Sequence, residues 1–146
     1  MAPRQALMLV ADEIYYNLQG KAILQGIYTT DLIIPTDPTP VRQLLLFFVI
    51  ETDLSEPFTS LNVEITLPGS TPVRNAVFVP PPQFLATLQQ TQPGRTRFFV
   101  RHPVLIQNPI LRPGLIEAKV IHESGEIAVT GQWIELVGMP QGALSN

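Results

Sequence analysis

The feature of this sequence that most constrains its fold is a run of seven consecutive apolar residues, LLLFFVI, at positions 44–50. The run is far too short to cross a membrane as a helix, which takes about 20 residues. It lacks the polar gaps of an amphipathic helix, and Pro40 and Pro57 limit the surrounding segment to the length of a strand. The run therefore predicts a strand that is covered on both faces, or nearly so, in the middle of a sheet core.

The rest of the chain is predicted to consist of short strands. Fifteen prolines and nine glycines in 146 residues leave little room for long helices. Residues 61–67 alternate without error, which places Leu61, Val63, Ile65 and Leu67 on the inward face of a half-buried strand. The pattern predicts an all-β chain that forms an antiparallel β-sandwich of about eight strands, immunoglobulin-like, with at most one short helix. A closed barrel is the alternative.

Two antiparallel hairpins are expected near the ends of the chain. The first joins a strand at 5–16 to a strand at 21–28, with a glycine-containing turn between them. The second joins strands at 115–122 and 126–137 through Glu123-Ser124-Gly125. These hairpins account for a large share of the predicted strands.

The final strand and the end of the chain carry more specific expectations. Ile127, Val129 and Trp133 are expected to point inward, with Gly131 at a bulge. The chain is divided into one sandwich domain, residues 1–137, and a flexible C-terminal tail, residues 138–146, because the tail shows no periodicity.

Two further local expectations concern the middle of the chain. The helical spacing of apolar residues in 83–92 indicates a short helix or a packed loop. Pro103 is expected to distort the continuation of a strand at 96–100.

The composition limits the possible partners. Charged residues make up 14% of the chain, whereas about 25% is usual. Two interpretations fit this low charge equally well: a surface that is partly covered by a partner or another copy, and a proline- and threonine-rich loop surface that is polar without being charged. The net charge is −3, with −5 on residues 1–70 and +2 on residues 71–146. This weak asymmetry argues against a nucleic-acid partner, which would select a basic face. The apolar stretch 6–11 is too short for a signal peptide and cysteine is absent, so we expect a cytoplasmic protein with no membrane partner.

Three short stretches carry a family resemblance: LVADEI at residues 9–14, GKAILQGIY at residues 20–28, and RPGLI at residues 112–116 followed by a hairpin. The first two resemble the N-terminal pattern "ADxxxx…GKxxIxGxF" of a family of small uncharacterised bacterial proteins, from which Leu24 and Tyr28 depart mildly. With the third stretch, the resemblance spans most of the chain. The resemblance implies an all-β fold and a bacterial origin, and it implies no activity.

The residue types that carry metal and acid–base chemistry are sparse. His102 and His122 lack ligand-spaced companions and are expected to be exposed residues at strand ends, so no metal site is predicted. The loop 51–56 carries three carboxylates and could in principle hold Ca²⁺, but an acidic turn is the preferred interpretation. Asp12 and Asp31 are the only candidates considered for a carboxylate pair, and nothing in the sequence brings them together. We predict no catalytic residues, no cofactor and no enzyme activity.

Four arginines are the candidate binding residues: Arg95, Arg97, Arg101 and Arg112. On a strand, Arg95, Arg97 and Arg101 share one face, together with Phe99. Guanidinium groups in a row can bind phosphate in a bidentate manner. The competing interpretation is a solvent-facing strand whose arginines pair with carboxylates on a neighbouring strand.

The sequence thus predicts a non-catalytic β-sandwich protein that acts through protein–protein contacts or self-assembly as a homo-oligomer. The hypothetical mode is an exposed edge strand that docks to its symmetry mate and extends the sheet. The alternative is a small-ligand or anion-binding module that uses the arginine-rich strand face.

Overall fold

The protein is described by a computed structural model that covers residues 3–138. Strands account for 55% and one helix for 7% of the described residues, and antiparallel pairing dominates. The elements are, in chain order, β1 (Gln5–Ala11), β2 (Glu13–Tyr16), β3 (Ala22–Gln25), β4 (Leu32–Ile34), β5 (Thr39–Pro40), β6 (Gln43–Asp53), β7 (Leu61–Thr66), β8 (Val73–Ala76), α1 (Pro82–Thr91), β9 (Arg97–Gln107), β10 (Ile110–Leu111), β11 (Gly114–His122) and β12 (Gly125–Leu136). The all-β expectation with one short helix is confirmed, whereas the tail predicted at 138–146 lies outside the described residues except for Gly138.

The apolar run forms most of β6, the central strand of a three-stranded sheet with the order β1-β6-β9. Both pairings are antiparallel. The even-numbered residues of β6 point into the core, where Leu44, Leu46, Phe48 and Ile50 are at most 1% exposed. The opposite face of β6 is only partly covered, since Phe47 and Val49 are half-buried. The strand was predicted to be buried on both faces, or nearly so, and it is fully buried on one.

A five-stranded sheet with the order β4-β12-β11-β7-β8 lies against the core side of the first sheet. Leu61, Val63, Ile65 and Leu67 contribute to the core as their alternation predicts. One sheet is curled into a half-barrel. Two small two-stranded sheets complete the fold: the hairpin β2-β3 and the pair β10-β5.

The pairing of β4 with β12 is parallel, which differs from an all-antiparallel arrangement. β4 has only three residues and is far from β12 in sequence. It pairs at the sheet edge through a long connection, so no helical crossover is required. Sequence periodicity cannot reveal such a short edge strand.

Trp133 is the clearest departure from the predicted strand faces, because it is 55% exposed and does not point inward. The pairing register of β11 with β12 shifts between Ile116–Gln132 and Ala118–Val129, which places the bulge across Gly131. The extra residue reverses the inward parity beyond it. Ile134 is consequently the buried residue, at 2% exposure.

Pro103 does not interrupt β9, contrary to the expected distortion. β9 runs without a register shift along all eleven residues of β6, with Pro103 opposite Phe47. The strand tolerates proline because β9 lies at the edge of its sheet, where a missing backbone N–H need not cost a ladder hydrogen bond. Among residues 3–138, no helix has the length and apolar character needed to cross a membrane.

Candidate functional site

The candidate functional surface is the side of the β1-β6-β9 sheet that faces away from the core. Antiparallel pairing places odd-numbered residues of the three strands in rows across this side. One row is Leu7, Val49 and Arg101, and the next is Leu9, Phe47 and Pro103. We define this surface as the outer face, made up of Leu7, Leu9, Ala11, Leu45, Phe47, Val49, Arg101, Pro103 and Leu105.

The outer face is apolar and partly open. Leu7, Leu9 and Leu105 are 50%, 37% and 42% exposed, and Phe47 is half-buried between them. None of the outer-face residues belongs to the core cluster. Both sides of β6 are therefore apolar, but only the side with the even-numbered residues packs into the core cluster.

One end of the outer face is covered within the molecule. Ala11 and Leu45 are fully buried although they lie outside the core cluster. The chain turns at Asp12 directly into the β2-β3 hairpin, and β2 contacts β6. The hairpin therefore covers this end and leaves the rows around Val49 and Phe47 open.

The other end of the outer face is polar and internally paired. Arg97 Nε donates to Glu51 Oε1 at 2.7 Å, and its NH1 lies 3.4 Å from Asp53 Oδ1. Gln5 Nε2 also donates to Glu51, at 3.1 Å. The hydrogen bond from Arg97, followed by that from Gln5, lowers the pKa of Glu51. Polar groups thus border the apolar rows.

The structure brings together two of the four arginines predicted as a binding stripe. Arg97 and Arg101 lie on the same side of β9 as Phe99, and Arg101 stacks over the Phe99 ring at 5.4 Å. Arg95 precedes the strand and donates to Gln92 and to the carbonyl of Arg97. Arg112 follows β10 and pairs with Asp37 at 3.4 Å, beyond the opposite end of β9.

Two of the three carboxylates of the loop 51–56 are engaged within the protein. Glu51 and Asp53 both pair with Arg97. The guanidinium charge therefore occupies the position between these two carboxylates where a cation would have to bind. Among the described residues, no group of three or more metal-ligating side chains is arranged to hold an ion.

Neither histidine is exposed as expected, although His122 does end its strand, β11, whereas His102 lies inside β9. His102 Nε2 lies 2.7 Å from Asn75 Oδ1, a contact between β9 and β8 at the edges of the two sheets. Partial burial lowers the pKa of His102. The side chain of His122 is only 11% exposed and lies 2.8 Å from Arg4 NH1. The sequence could not show these contacts because each joins strands far apart in the chain.

Arg4 and Glu123 form the centre of a second polar cluster. Arg4 NH1 donates to Glu123 Oε2 at 2.7 Å, and the guanidinium lies over the Phe58 ring at 4.4 Å. Glu123 Oε1 accepts from the backbone N–H of Thr59 at 2.6 Å. Burial by itself raises the pKa of Glu123, but these donors together with His122 lower it to about 2. The cluster fastens the N-terminal strand to the β11-β12 turn.

Asp12 and Asp31, the considered carboxylate pair, have separate partners. Asp12 Oδ1 accepts from the Tyr28 hydroxyl at 2.6 Å, and burial together with this hydrogen bond raises the pKa of Tyr28 to about 12. Asp31 instead interacts with Glu135, and a hydrogen bond between the two carboxyl groups raises the pKa of Glu135. Glu135 was missed because its strand pairs in parallel with β4.

A concave region of about 560 Å³ lies on the solvent side of the five-stranded sheet. Its charged side chains are largely paired: Glu64 with Arg74, and Glu126 with Lys119, each at 3.1 Å. No buried side-chain nitrogen or oxygen in the described range lacks a hydrogen-bond partner. The concavity therefore contains no desolvated polar group that would require a ligand.

Sequence reasoning missed Leu7, Leu9 and Leu105 as surface residues. The signal was present in β1, where residues of both parities are apolar although the strand lies at a sheet edge. Alternation shows which residues share a face, but it does not show which of two apolar faces the rest of the chain covers.

No protein-family model, no curated protein and no solved structure matches this chain. The resemblance at the N-terminus stays a prediction, and function has to be argued from the geometry of the described residues.

Proposed function

We propose that this protein is a non-catalytic protein that acts through contact with another protein chain, and that the outer face is its contact surface. The observation that carries the proposal is the set of exposed leucines Leu7, Leu9 and Leu105 around Phe47 on a sheet face outside the core cluster. An apolar centre bordered by polar groups is the usual anatomy of a protein–protein interface. Contiguous exposed apolar side chains on a small domain commonly mark such a site.

Three of the four edge strands of the two larger sheets are less suited to contact than the outer face, and the fourth, β1, lies beside β12 within the molecule. β9 carries Pro103 in its middle, and β8 and β4 have only four and three residues. Short edge strands and edge prolines are features that discourage pairing with another chain. This supports contact through a sheet face in place of the edge-to-edge extension considered from the sequence.

Anion binding by the arginine-rich strand has weaker support. Arg97 pairs with Glu51 and Asp53, and Arg112 lies apart from the other three arginines. A phosphate at Arg97 would have to compete with two carboxylates that are already in place. The absence of an unpaired arginine row therefore favours the contact proposal.

The proposal also includes an immunoglobulin-like sandwich, a bacterial origin and a cytoplasmic location. An immunoglobulin-like sandwich is supported by the shared core between the three-stranded and five-stranded sheets. A bacterial origin is supported only by the N-terminal resemblance, and a cytoplasmic location by the composition.

The test is affinity capture from an extract of the source cells with three versions of the protein. Wild type is compared with Leu7→Thr/Leu9→Thr and with Ile33→Thr/Val73→Thr, which changes two strand residues of the five-stranded sheet that are at least as exposed. We expect a specific protein, identified by mass spectrometry, to bind wild type and the control but not the Leu7/Leu9 variant. An identical set of bound proteins for all three versions would contradict the proposal.

A further inference from the structure

We propose that the chain that covers the outer face is a second copy of this protein, packed face to face about a two-fold axis near Val49. This inference rests on the proposed function and names the partner. Most homo-oligomers of soluble proteins are two-fold dimers in which the same patch serves both subunits. Val49 lies on the central strand in the middle of the open rows, so the axis would bring Val49 close to the partner's Val49.

The charges on this side of the sheet allow self-association. Glu51 and Asp53 are offset by Arg97 and Arg101, so this side has no net charge, whereas the whole chain has a net charge of −3. Two identical charged patches would repel each other, and desolvation would add to that cost. A face that is neutral overall avoids the repulsion when it meets its own copy, and Arg101, the one charged side chain within the outer face, stacks over the Phe99 ring.

The open face is small for a protein–protein interface. Three strands with about six residues each cover about 14 Å by 20 Å, or roughly 300 Å². A stable interface takes about 800 Å² from each partner. We therefore infer a weak, reversible dimer of the kind formed by interfaces below the standard size. Tight, permanent association would need more surface than the outer face offers.

Sedimentation equilibrium tests the inference over protein concentrations from about 5 μM to 1 mM. We expect wild type to show a concentration-dependent monomer–dimer equilibrium. Leu7→Thr/Leu9→Thr should raise the dissociation constant at least about tenfold, because two of the exposed apolar side chains are lost. Ile33→Thr/Val73→Thr should change it less than about twofold, since these residues lie on the five-stranded sheet.

A chemical cross-link locates the interface independently of affinity. The chain has no cysteine, so Val49→Cys and Ile33→Cys each introduce a single thiol. Face-to-face sheets lie about 10 Å apart, so a bis-maleimide of similar length should link two copies through residue 49. The Ile33→Cys protein should remain a monomer under the same conditions.

The outcomes separate this inference from the proposed function. Monomers throughout the concentration range, or equal cross-linking through residues 49 and 33, would overturn the second-copy inference. If a different protein were then captured in a Leu7- and Leu9-dependent manner, the outer face would still be a contact surface. Failure of both experiments would overturn the proposed function as well.

Discussion

Asp12, Gly26 and Tyr28 contact one another and hold the β2-β3 hairpin in place. These residues lie in the N-terminal stretches 9–14 and 20–28, and the structure places them in one corner. The backbone N–H of Asp12 donates to the carbonyls of Gln25 and Gly26, and its carboxylate accepts from Tyr28. Gly26 has φ of +71°, and a Cβ there would overlap the Asp12 carboxylate. These contacts therefore fix the β2-β3 hairpin against the end of the outer face.

Gly26→Ala should lower the free energy of unfolding by about 1–3 kcal/mol, since the left-handed backbone and the overlap with Asp12 both oppose a side chain. Gly20→Ala is the matched control, because Gly20 has φ of +78° and nothing lies within 4 Å of an added Cβ. Urea unfolding measures both variants. An equal loss for the two would show that backbone conformation alone is responsible and that the Asp12 corner contributes nothing.

Glu123 should make stability depend on acid pH. Its pKa is about 2 in the folded protein against an ordinary value of 4.5. A lowered pKa contributes stability that is complete above the ordinary value and is lost as pH falls through the folded value. Glu123→Gln should therefore cost about 1–2 kcal/mol at neutral pH, and the difference from wild type should shrink as pH falls from 4.5 towards 2.

The control for this experiment is Glu117→Gln, because Glu117 is exposed and has no ion-pair partner among the residues described. Unfolding by urea at a series of pH values gives the two profiles. A difference between wild type and Glu123→Gln that stays constant down to pH 2 would contradict the assigned role of the carboxylate.

At the scale of elements, the bulge in β12 decides which side chains enter the core. Gly131 allows a close approach to the carbonyl oxygen of Ile116, where an added Cβ would overlap backbone that cannot rotate away. Beyond this residue the inward parity changes, so Ile134 is buried and Trp133 is exposed. Because Gly131 allows the bulge to form, this one small residue determines which side chains in the second half of β12 point into the core.

Gly131→Ala should destabilise the protein by about 2–3 kcal/mol through this overlap. Gly94→Ala should be neutral or slightly stabilising, since nothing lies within 4 Å of its added Cβ. Thermal unfolding followed by circular dichroism compares them. Equal melting temperatures for the two variants would mean that the bulge can form without glycine.

The same element shows how far sequence reasoning reaches. Local period and turn residues predicted β6, β7 and the β11-β12 hairpin, because those signals are contained in short stretches of chain, and they allowed either a helix or a packed loop where α1 lies. The first hairpin was predicted with strands at 5–16 and 21–28, but the structure breaks the first strand at Asp12, pairs β1 with β6 and pairs only β2 with β3. Local signals did not give the partner of β4, which is decided by contacts between residues about a hundred positions apart. The bulge at Gly131 was predicted correctly, but Trp133 was wrongly expected to point inward. That expectation kept the same alternation of inward and outward residues on both sides of the bulge, whereas a bulge reverses it.

The candidate site was predictable only in part for a related reason. Alternation along a strand predicts that Arg97, Phe99 and Arg101 share one side, and the structure confirms this. Their pairing with Glu51 and Asp53 depends on strand register, which the sequence leaves open. The open outer face depends on what the remaining chain fails to cover, which is a property of the whole fold.

At the scale of the whole molecule, the two larger sheets should unfold together. Phe48 and Ile50 of β6 share a core cluster with Val63 of β7 and Ile116 of β11. Separating the sheets would expose all of these side chains to water at once, because both sheets contribute residues to the same core cluster. Such a shared core predicts a single cooperative transition.

Two probes test this prediction in different sheets. Trp133 is the only tryptophan and reports on β12, and a dye on the thiol of Val49→Cys reports on β6. We expect both signals and far-UV circular dichroism to give one urea midpoint, because loss of either sheet removes the other's half of the core. An earlier transition at Trp133 would instead mean that the five-stranded sheet opens first. The outer face would then belong to a sheet that keeps its structure without its core partner, which the shared burial of Phe48 and Ile116 argues against.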